Sequence, residues 1–175
     1  KEEILDLIIG SGTALVADIE GSPEALVLSA PGTIRYLNDE LSFAGVTGVT
    51  CSRIARKRGL ARRLTARLVA QAAENGAATI GLGMFEQGFY DHLGFGSGCY
   101  DHWVSFDPAQ LSVDVEPRLP RRLTQDDWMQ MHACRLARRR GHGNINLVPP
   151  EPTQADLKWS ENGFGVGYLD EAGHL

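Results

Sequence analysis

The pattern of apolar and polar positions in the first third of the chain predicts a helix followed by three strands, the first two of which form a hairpin. Residues 1–9 have the pattern of a helix end, which Gly10 and Gly12 stop. β-branched and apolar residues then predict three strands, at 13–20, 24–29 and 41–51. A turn at 21–23 makes a hairpin of the first two strands, and a polar connection at 31–40 leads to the third.

The middle of the chain combines a long amphipathic helix with shorter elements. From Gly59 onward apolar residues recur at helical spacing up to Asn75-Gly76, with arginines on the opposite face. A strand at 78–84, one or two helical turns at 86–93 and a strand at 99–106 follow. The resulting β-α-β-α-β order requires at least one parallel crossover. The predicted fold class is therefore α/β, or α+β with a mixed sheet.

Three prolines at 107–120 mark a change in composition that predicts a linker. Beyond it we predict a strand at 120–123 and a helix capped by Thr124 that runs to about Arg140. A loop at 141–152, a short helix capped by Thr153 and a hairpin within 162–175 complete the chain. The predicted division is a domain at 1–106, the linker at 107–120 and the start of a second domain at 121–175. We also expect missing segments before residue 1 and after residue 175.

Composition describes a globular chain of 175 residues, of which 43% are hydrophobic and 22% are charged. The longest uncharged run, residues 41–52, has 12 residues, whereas a membrane span needs about 20. We therefore expect no membrane segment, and no signal-peptide core follows residue 1. The three cysteines form neither a disulfide framework nor a metal-binding pattern. These features favour a reduced, cytoplasmic protein.

The net charge of −5 conceals two concentrations of basic residues. Of the 17 lysines and arginines, seven lie between Arg53 and Arg67 and seven between Arg118 and Arg140. This distribution excludes a uniformly basic nucleic-acid-binding protein and leaves a local phosphate site open. In the second cluster, the arginines at 138–140 are expected on a solvated helix end, where they complement the helix dipole.

The first basic cluster includes a loop that has the chemistry of an anion site. Residues 56–61 (RKRGLA) lie between a predicted strand and a predicted helix. A helix N-terminus offers unpaired N–H groups and a positive dipole end. Gly59 permits close approach of a phosphate, and the neighbouring cations add charge. The spacing fits neither the P-loop nor the GxGxxG dinucleotide motif. The alternative is a basic, solvated start of a surface helix.

This loop resembles the acetyl-CoA loop of the GNAT N-acetyltransferase superfamily. That motif has Gln or Arg, two free positions, Gly, one free position, and Gly or Ala, which Arg56, Gly59 and Ala61 match. The resemblance implies a GNAT acyl-CoA N-acyltransferase fold and acetyl-CoA as co-substrate. It implies that loop amides hold the pyrophosphate, and that the preceding strand lends backbone groups to the pantetheine arm. The implied cofactor-binding residues are Val49, Thr50, Cys51, Lys57, Arg58, Gly59, Leu60, Ala61 and Arg62.

A second motif, FYDHLGF at residues 89–95, follows the next predicted strand. It resembles the FYxxLGF segment of the GNAT superfamily, in which a tyrosine serves as general acid for the departing CoA thiolate. Tyr90 matches that tyrosine, and a phenol with an ordinary pKa near 10 keeps its proton at neutral pH. The alternative is that Tyr90 and Phe95 are core aromatics around a turn at Gly94.

The pattern GVTGVT, RKRGLARRLTARL and FYDHLGFG, followed by a proline-containing linker, is most similar to the enhanced intracellular survival (Eis) type of acetyltransferase. That resemblance implies that 121–175 begins a second, degenerate GNAT-like domain. It also implies a homo-oligomer, often a hexamer in that family. The implied acceptor is a primary amine, either on a small molecule such as an aminoglycoside or on a lysine side chain. The general base stays unassigned, because in this family it is thought to be the C-terminal carboxylate of a third domain.

Alternatives remain open for individual residues and for the whole chain. We expect no metal site, because the histidines lack ligand spacing. Cys51 has no visible base partner and is expected to be an inward strand residue, whereas Glu86 or Asp91 could act as a base near Tyr90. The second functional hypothesis is a non-catalytic CoA-binding or assembly module. A third hypothesis, nucleic-acid binding by the two arginine clusters, predicts strong salt dependence.

Overall fold

The computed structural model describes residues 1–84, 88–98, 103–112, 114, 116, 118–160 and 165–175. Within these residues the chain forms four α-helices and seven strands. The helices are α1 (Glu2–Gly10), α2 (Leu60–Glu74), α3 (Trp128–Ala137) and α4 (Glu151–Trp159). The strands are β1 (Thr13–Ile19), β2 (Ser22–Tyr36), β3 (Asp39–Cys51), β4 (Thr79–Gly81), β5 (Arg121–Leu123), β6 (Ile145–Leu147) and β7 (Gly165–Gly167).

One mixed sheet forms the centre of the described structure. β1, β2 and β3 are antiparallel neighbours in chain order, and β4 pairs parallel with β3. The α2 crossover between β3 and β4 covers the sheet and buries Leu60, Thr65, Leu68 and Ala72. The predicted mixed α/β class is therefore confirmed.

β2 is much longer than predicted, and the prediction of a polar connection at 31–40 is wrong. Strand pairing continues through Pro31↔Ala44 to Tyr36↔Asp39, which leaves only a tight turn. Pro31 is tolerated because it lies where β2 changes partner on its other edge. Pairing with β1 ends at Ser29, and pairing with β6 begins at Gly32. A proline without an N–H interrupts no ladder bond at such a gap, and its carbonyl accepts the Val148 N–H at 2.9 Å.

The segment at 141–152, predicted as a loop, contains β6, which extends the main sheet. β6 pairs antiparallel with β2 over Gly32–Ile34. The Arg140 side chain, 7% exposed, forms an ion pair with Glu40 and donates to Thr33 Oγ1 at 2.9 Å. α4 packs against α1, where Lys158 pairs with Glu3 at 2.5 Å. Residues on both sides of the predicted linker thus contact one another, and the division into domains stays a prediction.

Several boundaries differ from those predicted. β4 covers three residues rather than 78–84, and α3 ends at Ala137 rather than near Arg140. Of the strand predicted at 99–106, residues 99–102 lie outside the described residues, and 103–106 form no strand. The strand at 120–123 is confirmed as β5, which pairs with β7. Thr124 caps the 3-10 turn Gln125–Asp127, which leads into α3, and its N–H donates to Asp127 Oδ2 at 2.7 Å. The N-cap of α3 itself is Asp127.

No helix in the described part of the chain is long and apolar enough to cross a membrane.

A buried side-chain hydroxyl at the interface between α2 and the sheet stands out among the residues that the structure describes. Thr65 is fully buried, and its hydroxyl has no hydrogen-bond partner among the described residues. A buried hydroxyl without a partner carries an uncompensated desolvation cost. We expect Thr65→Val, which keeps the β-branched shape, to raise the free energy of unfolding by about 1 kcal/mol.

Urea denaturation measures this change, with Thr65→Ala as the matched variant. Thr65→Ala also removes the hydroxyl but leaves a small cavity, so it should be less stable than Thr65→Val. A Thr65→Val protein that is less stable than the wild type would contradict the interpretation of Thr65 as a destabilising polar group.

Candidate functional site

The segment that joins β3 to α2 begins with a tight turn capped by Ser52. The Ser52 hydroxyl accepts a hydrogen bond from the Ala55 N–H at 3.3 Å, across the 3-10 turn Arg53–Ala55. The same hydroxyl donates to the Glu24 carboxylate. The Ser52 N–H donates to the Glu24 carbonyl at 2.8 Å. The segment is therefore tied to the start of β2 before it reaches its most basic residues.

Two buried residues hold the ends of the loop at 56–59. Ala55 is 1% exposed and Leu60 is 8% exposed, and both belong to one cluster with Ala25. Cys51 packs against the same cluster, which agrees with its expected role as an inward strand residue. Between the anchors, Arg56, Lys57 and Arg58 are exposed. The loop thus projects its cations into solvent from a fixed base.

The N-terminus of α2 presents free amides beside this loop. Gly59, the N-cap, has a left-handed backbone with φ 72°, and Lys57 is also left-handed with φ 61°. The Arg63 N–H donates to the Gly59 carbonyl at 3.0 Å, which is the first hydrogen bond of the helix. The amides of residues 60–62 therefore have no acceptor within the helix. Apart from Gly59 and its two chain neighbours, no described residue has an atom within 4 Å of the position that a Gly59 Cβ would occupy. A bound anion could therefore approach the backbone closely.

Charge around this helix end is strongly positive. Seven cations lie on the 3-10 turn, on the loop and on the first two turns of α2, and none forms an ion pair with a carboxylate among the described residues. They are Arg53, Arg56, Lys57, Arg58, Arg62, Arg63 and Arg67. The helix dipole adds a partial positive charge at the same end. Amides, dipole and free cations together suit a polyanion such as a diphosphate.

The strand that leads into the loop has an open backbone edge. β4 pairs with β3 only over Phe43–Gly45, and beyond Gly45 this edge of β3 has no strand partner among the described residues. Val49, Thr50 and Cys51 lie in this open stretch, immediately before the loop. Free N–H and C=O groups along a strand edge can pair with an extended ligand that carries amides. The edge and the anion site are therefore continuous.

Tyr90 lies in a compact aromatic turn beside α2. Its ring makes edge contacts with Phe89 at a centroid distance of 5.0 Å and with Phe95 at 5.8 Å. Its carbonyl accepts the Leu93 N–H at 2.9 Å and the Phe95 N–H at 3.3 Å. The 3-10 turn Asp91–Leu93 contacts α2. Burial raises the pKa of the Tyr90 phenol above its ordinary value near 10, so the phenol keeps its proton at neutral pH.

Of the two residues considered as general bases, the structure describes only Asp91. Asp91 is exposed at the start of the 3-10 turn, whereas Glu86 lies outside the described residues. No cluster of His, Cys, Asp or Glu that could hold a metal ion occurs in the described part of the chain.

The second basic cluster is engaged in contacts within the protein. Arg121 pairs with Asp127 at 2.6 Å, and Arg135 donates to Thr153 at 3.0 Å. Arg118 stacks on the Tyr168 ring at 5.2 Å. Arg138 donates to the Ile145 carbonyl, and Arg140 is buried against Glu40. The expectation of a solvated helix end is therefore wrong for Arg140, whose side chain is buried against Glu40 and Thr33. These contacts make this cluster a poorer anion site than the first.

A cleft of about 220 Å³ between α3, β6 and α4 is lined by His132 and Thr153. His132 is 7% exposed, and its two ring nitrogens lie 3.0 Å from Thr153 Oγ1 and from the Val148 carbonyl. Both nitrogens are thus occupied. His132 therefore helps to connect α3 to α4.

The structure adds Glu24 and Ser52 to the residues identified from the sequence. Ser52 could have been identified from the sequence, because serine is a common N-cap and Ser52 directly precedes the turn. Glu24 could not have been identified in this way, because its partner Ser52 is 28 positions away in the sequence.

Comparison with known families gives the class of the chain. Residues 5–98 match the family model described as an acetyltransferase (GNAT) domain. This match covers more than half of the 175 residues, and the chain belongs to the GNAT acetyltransferase family. A search of curated protein sequences finds no match.

Solved structures extend the comparison to the fold. Eis1 from Mycobacterium abscessus is 15% identical with a TM-score of 0.65, and the alignment covers 88% of this chain and 40% of that one. A mutant protein from Bacillus halodurans is 14% identical with a TM-score of 0.52, and the alignment covers 60% and 73% of the two chains. The chain thus spans less than half the length of Eis1. The expected GNAT fold is confirmed, with an Eis protein among the similar structures.

The left-handed Gly59 gives a test of the anion site with an internal control. Gly59 and Gly76 lie at opposite ends of α2, both with positive φ and both with open space where a Cβ would lie. Alanine at either site should destabilise the protein by about 1 kcal/mol through backbone strain. Only Gly59→Ala should also weaken acetyl-CoA binding, by about tenfold or more, because its methyl group occupies the phosphate approach.

Isothermal titration calorimetry with acetyl-CoA, together with thermal denaturation, measures both effects. Equal acetyl-CoA affinity in the Gly59→Ala and Gly76→Ala proteins would show that the loop is not part of the binding site.

Proposed function

We propose that the protein is an acetyl-CoA-dependent N-acetyltransferase that transfers the acetyl group directly to a primary amine. The observation that carries the proposal is the anchored basic loop at the N-terminus of α2, continuous with the open edge of β3. Membership of the GNAT acetyltransferase family supports it.

In this proposal the pyrophosphate of acetyl-CoA binds at the helix end. The amides from Lys57 to Arg62 donate to its oxygens, and the exposed cations of the loop neutralise its charge. The pantetheine arm, which carries two amides, extends along the backbone of Val49, Thr50 and Cys51. Binding along a strand edge orients the thioester relative to Tyr90, and such positioning lowers the entropic part of the barrier.

The chemical step requires one proton to be removed and one to be supplied. The amine nitrogen attacks the thioester carbonyl and loses a proton, and the carbon–sulfur bond then breaks. The departing thiolate takes the phenolic proton of Tyr90. Burial that raises the Tyr90 pKa keeps this proton available throughout the neutral range. The general base stays unassigned.

The acceptor is proposed only as a class, a primary amine on a small molecule or on a lysine side chain. Homo-oligomerisation and a cytoplasmic location stay predictions from the sequence. A CoA-binding module without turnover is the alternative function, and the missing assignment of a base favours it.

Release of free CoA thiol across a panel of primary amines tests the proposal. Tyr90→Phe should lower kcat by about 100-fold while the KM for acetyl-CoA stays near its wild-type value, since general acid catalysis contributes roughly that much. Tyr168→Phe is the matched control, because Tyr168 is exposed and stacks on Arg118.

Three outcomes separate the alternatives. Acetyl-CoA binding without thiol release for any amine would favour the non-catalytic module. Absence of binding at millimolar acetyl-CoA would overturn both functions. A Tyr90→Phe protein with full kcat would leave acetyl transfer in place and remove Tyr90 as general acid.

A further inference from the structure

The loop that we assign to the pyrophosphate has an acidic residue at its base. Glu24, at the start of β2, accepts two hydrogen bonds from Ser52, one at its carbonyl and one at its carboxylate. A carboxylate beside an anion site opposes anion binding electrostatically. Its presence therefore calls for a structural reason.

That reason lies in the conformation of the loop. Lys57 adopts a left-handed backbone, with φ 61°, which is unfavourable for a residue with a Cβ. Such a conformation persists only where the surroundings fix it. On the α2 side the loop is fixed by buried Leu60. On the β3 side it is fixed by Ala55, whose N–H donates to the Ser52 hydroxyl.

Glu24 completes this second anchor. A serine hydroxyl has one proton, and Ser52 directs it to the Glu24 carboxylate, which leaves a lone pair for the Ala55 N–H. Ala25, the next residue along β2, packs against Ala55 and Leu60 in the same cluster. One short stretch of β2 thus contacts the loop through hydrogen bonds and through packing.

We propose that Glu24 is a positioning residue for acetyl-CoA, acting through Ser52 to hold the pyrophosphate loop in its binding conformation. The inference rests on the proposed function of the loop. A preorganised loop loses less conformational entropy on binding, so the tether contributes to the affinity for acetyl-CoA without touching it. The carboxylate costs some affinity by its charge, and the tether outweighs that cost.

The tether through Ser52 and the negative charge of Glu24 can be separated, because the tether strengthens acetyl-CoA binding and the charge weakens it. Glu24→Gln keeps an acceptor oxygen for Ser52 and removes the negative charge, so the Kd for acetyl-CoA should stay equal or fall by about twofold. Glu24→Ala removes both, and we expect the Kd to rise by about tenfold. Ser52→Ala should raise the Kd similarly. Glu74→Ala is the matched control, since it removes an acidic side chain at the far end of α2.

Calorimetric titration of the whole chain with acetyl-CoA gives these Kd values, and initial rates of thiol release give KM and kcat. Thermal denaturation monitors folding of each variant. The inference predicts a change in the acetyl-CoA Kd and KM with kcat nearly unchanged, and rescue by glutamine. If Glu24→Ala binds acetyl-CoA as tightly as Glu24→Gln, or if both lose affinity equally, the inference is overturned.

Failure of the proposed function has a different result. In that case the wild-type protein itself shows no acetyl-CoA binding. A wild type that binds while Glu24→Ala remains unaffected overturns only the role of Glu24.

Discussion

The structure around the candidate site depends on the burial of Ala55 and Leu60 against Ala25, on either side of an exposed basic loop. These two contacts fix where β3 ends and where α2 begins. Four residues connect these two anchors, and two of them, Lys57 and Gly59, have left-handed backbones. As a consequence, the amide end of α2 and a group of cations face the same side.

The two basic clusters of this acidic chain differ in whether acceptor groups of the protein lie close to their cations. Cations near acceptors or carboxylates are neutralised within the protein, as Arg121 and Arg140 are by Asp127 and Glu40. The loop cations have no carboxylate partner in the described part of the chain, and they surround free amides. Charge density in the sequence located both clusters, but only the contacts distinguish a binding site from a structural network.

Local patterns predicted the parts of the site that depend on local interactions. The glycine and small residue at 59 and 61, the amphipathic face of α2 and the turn around Tyr90 could all be identified from spacing. Pairings between distant segments could not be. Beyond Pro31, β2 pairs with β3 on one edge and gains a second partner, β6, more than 100 residues later in the chain. The contact of Glu24 with Ser52 joins the start of β2 to the segment that follows β3. Residues 31–40 mix polar and apolar residues after a proline, and only the partner strand shows that they are extended.

We propose that the α2 N-terminus, and not the second basic cluster, receives the phosphates of acetyl-CoA. The most direct measurement is the change in backbone amide NMR shifts when CoA is added to the ¹⁵N-labelled protein. We expect the largest changes at the amides of residues 57–62, smaller ones at 49–51, and little change at 118–140. The largest changes at 118–140, with residues 57–62 unperturbed, would contradict it.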